Sequence, residues 1–242
     1  MKKIYIAFSG LVLAGLAAYG GSHAIMSSRT QSVQPKLKAN DEVMARGEYV
    51  ARSSDCFACH SVPGGQAYAG GLAMQTPVGA IYSTNITPDP ETGIGKYSLA
   101  QFTNAVKHGV RDDGAPLYPA MPYPSYTIMP DEDVEAMYAF FMHKVKPVKQ
   151  ANQVPTMPWV MSMRWPVAYW QGLFAPAREF VANPKWDTST NRGAYLVEGP
   201  GHCGACHTPR GVAYQEQSLS MADNDSFLSG AVVDGWRAKS LR

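Results

Sequence analysis

All four cysteines of the chain fall in two five-residue words, Cys56-Phe57-Ala58-Cys59-His60 and Cys203-Gly204-Ala205-Cys206-His207. Residues three and four apart on a helical turn share a face. Each word therefore presents two thiols and an imidazole on one side of a single turn. C-x-x-C-H is the attachment word for c-type haem. Cys56 and Cys59 can bond the two vinyl groups on one porphyrin edge while His60 reaches the iron; Cys203, Cys206 and His207 repeat the arrangement. A covalently held porphyrin also lends apolar bulk to a small domain that would otherwise be short of core. Other readings fit less well. A structural zinc site wants four ligands, and each word supplies three. A thioredoxin-like redox pair expects a βαβ context that is missing. A disulfide within each pair leaves the repeated histidine without a role. Gly199-Pro200-Gly201-His202-Cys203-Gly204 fits G-x-G-x-x-G, but no strand precedes it and the haem word consumes its end.

The N-terminus points to an exported chain. Lys2 and Lys3 precede an apolar run from Ile4 to about Tyr19, closing on Ser22-His23-Ala24. This reads as a signal peptide, residues 1–24, cleaved after Ala24; the alternative is a retained membrane anchor, since the run approaches spanning length. The formal charge of +2 over 242 residues, with no basic run, gives no case for a nucleic-acid partner. At roughly 100–150 residues per domain the length suggests two small domains.

The organisation follows from helical periodicity. Residues 25–39 read as a polar tether. Asn40 or Asp41 caps a helix running to the first haem word, with Val43, Gly47 and Val50 near helical period. Residues 61–97 are rich in Gly and Pro and read as loop. Ser98-Leu99-Ala100-Gln101 is a capping box opening a helix with Leu99, Phe102 and Val106 on one face, ending near Gly109. Asp131, Glu132 and Asp133 start a third helix with the stripe Val134, Met137, Tyr138, Phe141 and Val145. No alternating strand pattern stands out. The expected architecture is a cytochrome c domain over 40–148, a linker over 149–185 and a second, incomplete domain over 186–242. The linker's tryptophans read as packing between domains or as a docking surface. Arg46-Gly47-Glu48-Tyr49 and Arg192-Gly193-Ala194-Tyr195 precede the two haem words and mark an internal repeat.

Methionine opposite histidine fills the sixth iron position and raises the potential, which suits electron transfer. Met121, in the proline-stiffened Tyr118-Pro119-Ala120-Met121-Pro122-Tyr123, is the expected distal ligand of the first iron, with Met74, Met129 and His108 as rivals. The second iron poses a problem. The same offset falls beyond Arg242, and Met221, the one methionine after His207, is too close to round a porphyrin. Phe227-Leu228-Ser229-Gly230 resembles Tyr68-Ala69-Gly70-Gly71, so the second domain stops near its middle. The preferred reading is part of a longer protein, with the second distal ligand beyond residue 242.

The ordered set Arg46-Gly47-Glu48-Tyr49, Cys56 to His60, Thr87-Pro88-Asp89 with Thr92-Gly93-Ile94-Gly95, His108-Gly109-Val110, Leu117 to Tyr123, Ser162-Met163-Arg164-Trp165-Pro166 and Arg192 to Tyr195 closely resembles the multi-haem cytochrome c subunit of membrane-bound bacterial alcohol, aldehyde and gluconate dehydrogenases. The resemblance implies a mainly α fold of tandem class I cytochrome c-like domains, the second incomplete here. It implies two haem c groups in this chain and a third in full-length members, which are nearly twice as long. It also implies an electron-transfer subunit rather than the substrate-oxidising one. Its partners would be a catalytic dehydrogenase subunit, ubiquinone and the membrane surface, on the periplasmic side of the bacterial inner membrane. A two-haem peroxidase and a free two-haem shuttle are the alternative functions.

Overall fold

The computed structural model describes residues 2–76 and 78–242; Met1 and Pro77 lie outside the described residues. Helix α1 (Lys2–Arg29) runs through the expected cleavage point without a break. Among the described residues, no helix is long and apolar enough to cross a membrane. The C-terminal end of α1 is bound to the rest of the molecule. Met26 is buried, and the Arg29 guanidinium donates to the carbonyls of His108 at 3.1 Å and Ala175 at 2.8 Å. The segment beyond it, expected as part of a tether, is fastened at two points. Gln31 and Asn104 exchange two hydrogen bonds, and the amides of Lys36 and Leu37 donate to the Glu135 carboxylate.

The three expected helices form where the sequence places them. In α2 (Asp41–Ser53) the Asn40 side chain accepts from the Val43 amide. The first haem word is its own short turn, α3 (Cys56–Cys59). Helix α4 (Leu99–His108) carries the complete capping box of Ser98 and Gln101 and stops at Gly109 in the left-handed region, φ 64°. A short α5 (Tyr123–Tyr126) follows Met121. Helix α6 (Asp131–His143) buries Val134, Met137 and Phe141 as expected, while Val145 lies past its end. These helices surround one core of Val50, Phe102, Tyr126, Met129, Val134, Met137 and Phe141. The α2–α6 crossing is close because position 47 has no side chain: a Cβ on Gly47 would lie 1.9 Å from the Ala136 carbonyl oxygen and 2.9 Å from Phe140 Cβ.

The 149–185 stretch braces the loop leading to Met121. It contains α7 (Trp159–Ser162) and α8 (Trp165–Phe174). The fully buried Gln171 amide donates to the carbonyls of Gly109 and Leu117, and the Arg164 guanidinium lies 4.1 Å from the Tyr118 ring centroid. Trp170 donates to the Ala213 carbonyl, whereas Trp159 is exposed. The tryptophans thus divide between packing and open surface.

Helix α9 (Thr188–Glu198), capped by Asp187, and the short α10 (Gly204–His207) carry the second R-G-x-Y and haem words. Two small hairpins correct the expectation that no strands would appear. β1 (Ala73–Thr76) pairs antiparallel with β2 (Gly79–Tyr82), and β3 (Ala231–Val233) with β4 (Trp236–Ala238). Strands of three or four half-exposed residues are too short for alternation to register. The second hairpin does have a local signal: Asp234-Gly235, both at positive φ, is a D-G hairpin turn.

Candidate haem-binding site

Each CxxCH histidine meets the same backbone device. His60 Nδ1 lies 2.7 Å from the Thr84 carbonyl, just after β2, and His207 Nδ1 lies 2.7 Å from the Lys239 carbonyl, just after β4. A carbonyl only accepts, so Nδ1 carries the proton and Nε2 keeps its lone pair for a metal. This is how iron- and zinc-binding histidines are oriented. Around each imidazole the same bonds recur. The His60 carbonyl accepts from Gly70 and the His207 carbonyl from Gly230. The Ser61 hydroxyl accepts from the Tyr68 amide and the Thr208 hydroxyl from the Leu228 amide. Tyr68 and Leu228 both sit at positive φ, 62° and 58°. These bonds align Leu228 with Tyr68 and Gly230 with Gly70, one residue on from the register expected from Phe227. From histidine to that point the second unit takes 228 − 207 = 21 residues against 68 − 60 = 8. The 13 extra residues form the loop carrying Arg210, Tyr214, Glu216 and Met221.

The first site is a walled cleft. Cys56 and His60 share it with Met121, and its sides are apolar: Ile86 and Ile94 from the loop, Phe102 and Val106 from α4, Phe141 from α6. It contains about 730 Å³ free of protein atoms, counting its solvent-open mouth. The Thr87-Pro88-Asp89 and Thr92 motifs hold one wall in place. Asn85 donates to the Val148 carbonyl and accepts from Thr87, and Asp89 accepts from Thr92 through both its amide and hydroxyl. That polar knot fixes the strand exit from which the Thr84 carbonyl points at His60. Burial lowers the proton affinity of His60, partly offset by its Thr84 bond. Burial likewise pushes the Cys56 thiol up to about 12. Among the described residues no disulfide joins any of the four cysteines.

Of the four distal candidates, Met121 and Met129 line this cleft. Met129 is fully buried in the core, with its sulfur at 4.0 Å from the Ser54 hydroxyl. Met74 lines a different cavity, with Cys59, Tyr118 and His202. His108 is bound to Arg29 through its carbonyl, and burial first, then the neighbouring Lys107 and Arg29 charges, lower its imidazole to about 4. The Cys56 thiol, an imidazole with Nδ1 already tied, a thioether and an apolar wall share this cleft, while Cys59, at the other end of the α3 turn, lines the cavity that holds Met74; counted together on that turn, the two thiols and the cleft match the needs of a covalently attached haem. In the second unit, Cys203, Cys206 and His207 lie together on α10 and its cap, while Met221 is exposed with its amide on Glu198. The carbonyl partners Thr84 and Lys239 escaped the sequence reading, since a backbone acceptor leaves no mark on residue identity. Tyr126, which lines the cleft and donates to the Ser54 carbonyl at 2.5 Å, also escaped it.

The sequence model of the cytochrome c family matches residues 44–144, the region that builds this cleft. The chain is 58% identical over 208 residues to the gluconate 2-dehydrogenase cytochrome c subunit of Pantoea cypripedii, covering 85% of this chain and 47% of that one. It is 55% identical over 206 residues to the cytochrome c subunit of the quinone alcohol dehydrogenase of Gluconacetobacter polyoxogenes, covering 84% and 44%. The chain therefore spans just under half the length of these relatives. A dihaem c-type cytochrome of Cereibacter sphaeroides is 30% identical over 228 residues, covering 92% of this chain and 73% of that one. The chain belongs to the cytochrome c family, and over most of its own length it is similar to cytochrome c subunits of gluconate and quinone alcohol dehydrogenases.

Proposed function

We propose that this chain is a two-haem electron-transfer unit of a dehydrogenase complex. Cys56 and Cys59 would attach the first haem, and His60 and Met121 would hold its iron. Cys203 and Cys206 would attach the second, and His207 would hold its iron together with a ligand from outside these 242 residues. The supporting observation is the paired histidine geometry, in which each Nδ1 is committed to a carbonyl and each Nε2 is left to bind iron. Bound haem supplies a one-electron couple. The chain's own residues fix the imidazole tautomer, keep an apolar wall against the porphyrin and offer a thioether that favours the reduced iron. A catalytic subunit of the alcohol, aldehyde or gluconate type supplies the electrons, and membrane ubiquinone receives them. The chain works on the periplasmic side of the inner membrane, delivered there by residues 1–24.

The protein is to be produced in cells that install haem c. The expected result is a mass two haems above that of the polypeptide, with a Soret band. Cys56→Ala/Cys59→Ala and Cys203→Ala/Cys206→Ala should each remove one haem, and a mass equal to the bare polypeptide would end the proposal. Deleting the gene should abolish substrate-to-quinone activity while leaving the catalytic subunit active with an artificial acceptor. The likeness to a dihaem c-type cytochrome favours a second reading, a free shuttle. Co-purification with a large catalytic subunit would exclude it.

A further inference from the structure

The two R-G-x-Y words, read in the sequence as marks of a repeat, meet in space. Arg46 Nε donates to Asp133 Oδ1 at 2.7 Å, and Tyr195 Oη donates to Asp133 Oδ2 at 2.6 Å. One carboxylate thus takes the arginine of the first word and the tyrosine of the second. The Arg192 guanidinium lies 4.8 Å from the Tyr195 ring centroid and 5.6 Å from that of Tyr49. So the arginine of the second word faces the tyrosines of both. Asp133 is 3% exposed and Tyr195 4%, inside the core of the first unit. A second contact lies nearer the haem words. Tyr126, bonded to Ser54 two residues before Cys56, stacks on His202 immediately before Cys203, with centroids 5.8 Å apart and planes at 25°. His202 is held at φ 39°, a left-handed backbone that a non-glycine residue adopts only where its surroundings require it.

We propose that the two R-G-x-Y words and Asp133 form a clasp that sets the separation of the two haem-attachment segments. The inference rests on the two-haem reading above. Cys56 follows Tyr49 by 56 − 49 = 7 residues and Cys203 follows Tyr195 by 203 − 195 = 8. Each cysteine therefore stands one helix end away from the clasp. Burial, reinforced by the Asp133 charge, holds the Tyr195 hydroxyl far above its ordinary value, so it remains a donor. A hydrogen bond to a buried carboxylate is strong, and a double acceptor couples its two donors. Electron exchange between fixed sites falls steeply with distance, which makes Asp133 and Tyr195 positioning residues for transfer between the haems.

The test uses the full haem-loaded chain. Tyr195→Phe keeps the ring in the core and removes only the bond to Asp133; Arg192→Ala removes the cation between the tyrosines. Three readouts are taken on each: haem count by mass, magnetic coupling between the two ferric haems by pulsed EPR, and hydrogen exchange of the α9 amides. With two haems retained, the expected result is a weakened or broadened coupling. Exchange along α9 should be roughly tenfold faster or more, while each haem's optical spectrum stays unchanged. Two haems with unchanged coupling and unchanged α9 exchange would overturn the clasp. Fewer than two haems in the parent chain would instead overturn the two-haem reading, and α9 exchange alone would then decide the clasp.

Discussion

The two CxxCH units hold their histidines by the same bonds yet differ in what surrounds them. In the first, α2 presses so closely on α6 that Gly47 has no room for a methyl group; in the second, a Cβ on the equivalent Gly193 meets nothing within 4 Å. The first unit closes an apolar cleft over Cys56 and His60. The second instead places a 13-residue-longer loop, carrying the partly buried Arg210 and Glu216, against its CxxCH word. A Cβ on Gly204 would lie 2.6 Å from Glu216 Oε2, where the first unit has the half-exposed Phe57. The comparison teaches that the attachment device is separable from the packing that encloses it. A hairpin and a hydroxyl suffice to aim the imidazole.

The comparison breaks most visibly at Gly47. Gly47→Ala should push α2 off α6 and cost about 3 kcal/mol or more, because the obstructing atoms are backbone and cannot rotate away. Thermal unfolding of the haem-loaded protein measures it, and loss of haem at the first site should accompany the drop. A change within 0.5 kcal/mol would show that the crossing is looser than described.

What the sequence disclosed divides along the same line. Signals written in side chains were legible: the Asn40 cap, the Ser98–Gln101 capping box and the acidic start of α6. Met121 was singled out by its flanking prolines, and the structure brings it into the cleft with Cys56 and His60. Signals written in the backbone were not legible. The carbonyls of Thr84 and Lys239 would serve as well from almost any residue, so their sequence carries no trace. The one-residue error in the repeat alignment arose because Phe227 is the better chemical match to Tyr68, while the amide bonds and positive φ select Leu228. Asp133 read as a helix-start acid, and its second role depends on a partner 62 residues away.

Glu216 sharpens the contrast through pH. Burial raises its carboxyl from the ordinary 4.5 to about 7, against the lowering influence of Arg210 and Arg178, and its Oε2 has no hydrogen-bond partner. The folded chain therefore keeps this proton up to about pH 7, while the unfolded chain releases it near 4.5. Stability contributed by the protonated form is full below that window and falls as pH rises through it, by an amount on the order of 3 kcal/mol. Glu216→Gln should flatten the pH dependence between about pH 5 and 7, read as denaturant midpoints across pH. An unaltered profile would mean that the carboxylate is ionised throughout.

The shared hydroxyl bonds should give matched, smaller effects. Ser61→Ala and Thr208→Val each strip the acceptor from a buried amide, that of Tyr68 or Leu228. Each should cost about 1–2 kcal/mol and loosen the histidine on its own side only. Haem absorption near each imidazole under rising denaturant reports the side affected. A cost from one substitution with none from the other would show that the devices are alike in geometry but not in energy.

The smallest effect has the opposite sign and isolates the helix itself. Gly193 lies inside α9, and no heavy atom stands within 4 Å of the position a Cβ would take. Gly193→Ala adds a methyl group without a clash. It also removes backbone freedom that glycine must surrender on entering a helix. The expected change is a gain of about 0.5–1 kcal/mol, with the Tyr195 bond to Asp133 intact because Tyr195 keeps its place on the helix. Gly47→Ala and Gly193→Ala thus test one residue of one repeated word in two settings, and the opposite signs come from the α6 atoms, the Ala136 carbonyl and Phe140 Cβ, present at the first position and without a counterpart at the second. A loss at Gly193 comparable to that at Gly47 would mean that a further element packs on α9 in solution, and that the second unit is as tightly enclosed as the first.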